Sequence, residues 1–271
     1  MKKIFSVLII AIVAAALAAC GGKSGEVADD KLVVGASNVP HAEILEEAKP
    51  LLKEKGIDLE IKTFQDYVLP NKALAEKEIG ANYFQHVPYL ESQMKDHNYK
   101  FENAGGIHIE PIGVYSKKYK SLKDLPNGAT IIMSNSVADH GRMLGLLEKE
   151  GLIKVKEGKG TEAQIKDVAE NPKNLKFKAD VDAGMLPKAY KNNEGDAVLI
   201  NTNYAIDAGL NPKKDAIAME DTDSPFVNII AVREGDKDKK SVKALVEVLR
   251  SKEIQDFIEK KYKGAVVPVT E

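Results

Sequence analysis

The sequence predicts an α/β fold of two lobes, each a mostly parallel sheet flanked by helices, joined by two crossing segments. Three observations carry that expectation. Short apolar runs alternate with amphipathic stretches of helical period, the order expected of a parallel sheet covered by helices. The alternation runs through two successive cycles of about 100 residues each, a usual domain size. Two long extended segments, "IHIEPIGVYS" and "SPFVNIIAVRE", stand between the cycles.

The elements follow in order. "KLVVGAS" is a continuous apolar run and predicts a buried strand. From Pro40 to Lys55, residues Ile44, Leu45, Ala48, Leu51 and Leu52 share one helical face, with a kink expected at Pro50 and a stop at Gly56. "IDLEIKTF" is the next strand and "NKALAEKEIG" the next helix. "ANYFQHVPYL" begins as a strand and turns at Pro88 into the helix "YLESQMKDHNY". The second cycle opens with a helical turn, a Pro-Asn-Gly turn and the strand within "KSLKDLPNGATIIMSN". "DHGRMLGLLEKEG" is a helix, "NLKFKAD" a strand, "AGMLPKAYKNN" a helix, "GDAVLINT" a strand and "NYAIDAGL" a short helix. Helices from Lys240 to Tyr262 close the chain. If the two extended segments are the crossings, one lobe takes residues 31–112 and 226–271 and the other takes 113–225.

Bulk properties bound the function. The net charge is −2 and no basic block tracks a polyanion, which argues against nucleic acid. Residues 1–19 read as a signal peptide: a basic start, an apolar run shorter than the roughly 20 residues of a membrane span, and a small-residue end. The run ends at Cys20, the one cysteine in the chain. That arrangement fits a bacterial lipobox, with cleavage before Cys20 and a lipid on it; an ordinary secretory signal with an incidental cysteine is the competing reading. No internal disulfide can form from one cysteine. Residues 20–30 read as the lipidated cysteine and a flexible tether. The chain is expected at the cell membrane, lipid-anchored and facing the periplasm or cell exterior.

Ligands in such sheets bind beyond the carboxyl ends of the strands, so functional residues should follow strands. Asp66 and Tyr67 do, as do His86 and Tyr89, Asp139 and Arg142, Asn201, and Asn228 at the second crossing. The helix expected from Asp139 puts Arg142 in its first turn, where the helix dipole favours anions rather than cations. A forked guanidinium beside helix N–H groups makes a carboxylate site; the alternative is a surface arginine paired with Asp139 or Glu148. Asn201 and Asn228 can accept from an ammonium without adding charge, or serve turns and caps. Tyr67, Phe84, His86 and Tyr89 can line an apolar slot with polar tips, suited to a thioether or alkyl chain. For Phe84 the lobe core is the stronger alternative, because strand alternation sends Phe84 and His86 to one face and Tyr83 and Gln85 to the other.

The phrases "FQDYVLPNKAL", "ANYFQHVPYL", "GRML", "ENPKNLKF", "INTNYA" and "SPFVNIIAVRE" occur in this order. Together they resemble the NlpA-type lipoproteins, methionine-binding receptors of bacterial ABC importers, from about Lys31 to "GAVVP" near the C-terminus. The resemblance implies a periplasmic-binding-protein-like fold of type II kind that closes on an amino acid, with no cofactor and no catalysis. It implies that Tyr67, His86 and Tyr89 surround the methionine side chain. Arg142 binds its carboxylate, and Asn201 and Asn228 bind its polar end. It further implies an importer permease with its ATPase as partner. Two positions depart from the family pattern: Asp139 replaces a common asparagine, and Gly80 a common aspartate. Asp139 beside the ligand carboxylate widens the expected ligand to another amino acid or a methionine-containing dipeptide.

Two other classes have weaker support. A zinc receptor would draw on His41, His86, His108 and His140, which lack close ligand spacing. A hydrolase would draw on Ser134, Ser136, Asp139 and His140, without a G-x-S-x-G elbow.

Overall fold

The computed structural model describes residues 25–269. The expected signal peptide and Cys20 lie outside the described residues. Among the described residues no helix is long and apolar enough to cross a membrane.

The apolar runs become the central strands of two sheets. The first half of the chain gives β1 (Lys31–Ser37), α1 (Glu43–Glu54), β2 (Asp58–Phe64), α2 (Leu69–Ala75), β3 (Ala81–His86), α3 (Val87–His97) and β4 (Phe101–Ile109). The second cycle gives β5 (Gly113–Tyr115), β6 (Thr130–Ser134), α4 (Val137–Lys149), β7 (Lys154–Val155), β8 (Val168–Glu170) and β9 (Lys176–Val181). It continues with α5 (Leu186–Lys191), β10 (Ala197–Ile200), α6 (Thr202–Asp207), α7 (Pro212–Asp215) and β11 (Ala218–Met219). The chain then returns through β12 (Val227–Arg233), α8 (Lys240–Leu249), α9 (Lys252–Tyr262) and β13 (Val267–Pro268). Helix α1 runs on past Pro50 as a single element.

One large sheet has the order β13-β4-β12-β3-β1-β2 and the other β11-β5-β10-β6-β9, while β7 and β8 form a separate two-stranded sheet. Both large sheets are mixed. Strands β1, β2 and β3 are parallel, as are β10, β6 and β9. The strands next to the crossings, β4, β12 and β5, pair antiparallel. The sequence pattern does not carry this, because those partners are set by where the chain returns rather than by local period. Strands β4 and β12 bracket the crossings from one side and β5 and β11 from the other, so each crossing leads from one sheet directly into the other.

Each sheet has its own core. Leu32, Val34, Ile44, Leu45, Leu52, Tyr83, Ile230, Leu245 and Ile258 meet in the first. Ile131, Met133, Met143, Leu147 and Leu199 meet in the second. Helix α8 buries Val242, Leu245, Val248 and Leu249, three to four residues apart on one face, against the first sheet.

Part of the expected tether is docked rather than free. Arg233 Nη2 donates to the Gly25 oxygen at 2.9 Å, and Val27 packs against the first core. Gly80 makes room for it: a Cβ there would lie 2.8 Å from Leu32 Cδ1 and 3.2 Å from Val27 Cγ2. A side chain at position 80 would require the Leu32 and Val27 side chains to give way.

Candidate functional site

The strand ends converge on a cavity between the lobes. The residues around it leave about 390 Å³ unfilled by protein atoms, a figure that includes space open to solvent. Register builds one wall. Asn228 on β12 lies opposite His86 on β3 and His108 on β4, forming one row across three strands. The register shifts just beyond Asn228 on both sides, a bulge of the kind that re-aims side chains near sites.

The aromatic wall comes from the first lobe. Tyr67, Phe84 and Tyr89 line the cavity, with each pair of ring centroids 6.0 Å apart. Phe84 is 4% exposed and belongs to none of the hydrophobic core clusters. Phe84 is thus a buried residue that also forms part of the cavity wall. His86 caps α3: its Nδ1 accepts from the Tyr89 backbone N–H at 3.2 Å. That leaves Nε2 carrying the proton, and it donates to Asp139 Oδ1 at 3.0 Å.

The polar wall comes from the second lobe and the first crossing. Helix α4 starts at Val137, two residues before the expected boundary, so Arg142 sits in its second turn and Asp139 in its first. The acidic residue thus holds the position that the helix dipole favours. Asn201 Nδ2 donates to Asp139 Oδ2 at 3.2 Å. Burial alone would raise the Asp139 carboxyl, but His86, Arg142 and Asn201 together hold it below its ordinary value.

Arg142 is 7% exposed, so the surface reading fails. Glu148 instead accepts from the Val155 N–H. Arg142 Nε donates to Glu220 Oε2 at 3.0 Å, and Nη2 donates to the same oxygen and to the Glu110 carbonyl at 2.7 Å. Its guanidinium lies 4.8 Å over the Phe226 ring. Nη1 is the nitrogen left for a ligand; its nearest acidic neighbour among the described residues is Asp139 Oδ1, at 3.9 Å.

Glu110 joins the two lobes. Its Oε1 accepts from His108 Nε2 at 2.8 Å and lies 3.2 Å from His41 Nε2, while Oε2 accepts from the Asn203 N–H at 3.0 Å. His41 Nε2 also donates to Asn228 Oδ1 at 3.0 Å, and Tyr83 donates to His108 Nδ1. Burial lowers His41 to about 4 and His108 to about 3, so both rings are neutral donors. Burial raises Glu110, against smaller opposing effects from His41, Arg142 and the Asn203 N–H.

Further contacts between the lobes, among the described residues, include His86 to Asp139, Tyr67 Oη to Asn203 Oδ1 at 2.7 Å, and Tyr204 Oη to the Gln65 oxygen at 3.2 Å. Burial pushes the Tyr67 hydroxyl well above its ordinary value, so it stays a donor.

All eight residues expected at the site, Tyr67, Phe84, His86, Tyr89, Asp139, Arg142, Asn201 and Asn228, line this cavity. Gln85, Glu110, Thr202 and Asn203 line it too. Glu110 directly follows β4, so the rule that functional residues follow strands, applied to that strand, finds it. Asn203 lies only two residues beyond Asn201. Glu220 directly follows β11, but a two-residue strand leaves no apolar run to mark it, and Phe226 precedes β12 rather than following a strand.

The four histidines expected of a zinc receptor do not converge. His41 and His108 meet at Glu110, with ligand atoms within 4.8 Å of one another. His86 faces Asp139 instead, and His140 donates to the Ser134 backbone oxygen at 2.9 Å. That last bond also removes the hydrolase arrangement: His140 engages the Ser134 carbonyl, and the Ser134 hydroxyl accepts from the Ser136 N–H.

A family model described as NlpA lipoprotein matches residues 32–270. The "Methionine-binding lipoprotein MetQ" of Bacillus subtilis (strain 168) is 57% identical over 275 residues, covering 100% of both chains. The "D-methionine-binding lipoprotein MetQ" of Salmonella typhimurium is 43% identical, covering 93% of this chain and 92% of the relative. Among solved structures, a nutrient binding protein from Burkholderia cenocepacia bound to methionine is similar at a TM-score of 0.82 and 46% identity. It covers 88% of this chain and 99% of that one.

Proposed function

The chain belongs to the NlpA lipoprotein family, and from that premise we propose that it binds methionine between its lobes and delivers it to an ABC importer. The family is one of substrate-binding lipoproteins, not enzymes. The observation that carries the reading is the polarity of the cavity. Aromatic rings occupy one side, and Arg142 Nη1, Asp139 and Asn201 occupy the other. A thioether fits the rings, and the two charged ends of a free amino acid fit the polar side. The Bacillus and Salmonella relatives, named for methionine, support the same ligand.

In this reading Tyr67, Phe84, His86 and Tyr89 hold the side chain, Arg142 the carboxylate, and Asn201, Asn228 and Asp139 the polar end. The lobes divide at residues 112/113 and 225/226, and the sheet membership of the strands supports that division. Closure removes the ligand from water and offers the permease a surface made by both lobes. A lipid on Cys20 anchors the protein outside the membrane. Methionine has about nine non-hydrogen atoms; at a ceiling of roughly 1.5 kcal/mol each, nanomolar affinity is within reach.

Calorimetric titration of protein stripped of ligand by unfolding and refolding tests the proposal. L-methionine should bind one to one, far more tightly than leucine or glutamate. Glycyl-methionine and D-methionine in the same panel define the ligand class. No heat and no thermal stabilisation with methionine would end the proposal.

A further inference from the structure

One amide on the cavity wall has its orientation decided by chemistry. Asn201 follows β10 directly and its Nδ2 donates to Asp139 Oδ2 at 3.2 Å. The two ends of a side-chain amide are nearly equal in shape, so a neighbour must settle which end faces where. A carboxylate only accepts. Asp139 therefore pairs with the Asn201 nitrogen and never with its oxygen. The second Asp139 oxygen is committed as well, because His86 has its Nδ1 occupied by the Tyr89 N–H and donates through Nε2.

The consequence falls on Asn201 Oδ1. This atom is buried and has no hydrogen-bond partner, in a residue that is 8% exposed and lines the cavity. A buried acceptor left alone costs about 1–3 kcal/mol, so the position calls for a donor. The nearby Arg142 does not supply one: its Nε and Nη2 are taken by Glu220 and the Glu110 carbonyl, and its Nη1 makes no hydrogen bond to this oxygen. Asn201 Oδ1 and the Asp139 carboxylate thus make an acceptor-only corner beside the free Nη1 of Arg142.

We propose that Asp139 sets the polarity of this corner: it holds the Asn201 amide with its oxygen toward the ligand, and the pair selects ligands that carry a free, protonated amine. This role rests on the methionine reading and deepens it. A carboxylate without an ammonium group finds Arg142 but meets Asp139 as a like charge. A zwitterion satisfies both. An asparagine at position 139 could donate as well as accept, and the Asn201 amide would then be free to turn.

The test compares L-methionine with 4-(methylsulfanyl)butanoate, the same molecule without its amine, on wild type and Asp139→Asn. Wild type should prefer methionine by about 100-fold, the scale of losing a charge-assisted pair at a buried site. In Asp139→Asn methionine should bind more weakly and the amine-free analogue more tightly, so that the ratio shrinks at least tenfold. A merely structural loss would weaken both ligands by one factor, and that result, in a variant that melts near the wild-type temperature, overturns the proposal. If Asp139→Asn does not fold, Asn201→Ala removes the oxygen itself. It should weaken methionine at least tenfold more than the analogue, and equal losses would again count against the role. Wild type that binds neither ligand overturns the methionine reading and this role with it. Wild type that binds methionine but tolerates the analogue equally well overturns this role alone.

Discussion

The buried His41–Glu110–His108 cluster makes the stability of this protein sensitive to mild acid. Both imidazoles are neutral in the folded state because burial lowers them, to about 4 and about 3. In the unfolded chain they return to an ordinary value near 6.5. Between those values the unfolded chain binds protons that the folded one does not, so stability falls as pH falls below about 6.5. At pH 5 each histidine contributes a loss of about 2 kcal/mol, from 1.5 pH units at about 1.4 kcal/mol each. Glu110 acts with the opposite sign: its carboxyl is raised by burial, so the folded state keeps a proton that the unfolded chain loses as pH rises. The two histidines together remove about 4 kcal/mol from pH 7 to pH 5, and Glu110 offsets part of that loss. Urea unfolding of ligand-free protein at the two pH values reads this as a drop in midpoint at constant slope. His108→Gln should flatten the dependence. Stability that stays level or rises toward pH 5 would refute the reasoning.

Four further outcomes are expected, three from contacts in the structure and one from the sequence. Arg142→Ala should weaken methionine binding by about 2–5 kcal/mol, the range for truncating one partner of a buried charge pair; calorimetry giving a dissociation constant within threefold of wild type would remove Arg142 from the site. Tyr67→Phe deletes the bond to Asn203 across the cleft. It should weaken binding by about 1 kcal/mol with little change in the melting temperature of ligand-free protein, and an unchanged affinity would mean that this bond does not contribute to closure. Gly141→Ala would place a Cβ 1.9 Å from the Thr161 carbonyl oxygen. Helix α4 must then shift, carrying Asp139 and Arg142 with it, so both melting temperature and affinity should fall; normal values in both would contradict the packing. Cys20→Ser should move the protein from the membrane fraction to the soluble fraction, and retention at the membrane would rule out this residue as the anchor.

Much of the site was legible because it follows a physical rule. Strand ends in an α/β lobe point at the cleft, and Tyr67, His86, Asp139, Arg142 and Asn201 each sit at or just after an apolar run. Phe84 shows the limit of alternation. Period alone places it on the face shared with His86, but whether that face meets core or cavity depends on helices from elsewhere in the chain. The Arg142–Glu220 pair shows another limit: Glu220 follows the two-residue β11, whose place beside β5 is fixed by long-range pairing that continues through the Glu220 N–H to the Ile112 oxygen. The antiparallel places of β5 and β12, the docking of Gly25 to Asp30, and the two-residue β13 all rest on long-range pairing. No local pattern encodes such pairing.

The most direct measurement is a crystal structure of the protein grown with L-methionine. The account predicts one molecule in the interlobe cavity, its sulfur among Tyr67, Phe84 and Tyr89, its carboxylate on Arg142 Nη1 and its ammonium on Asn201 Oδ1 and Asp139. Methionine bound elsewhere, or lying in the cavity with its charged end against the rings, would contradict it.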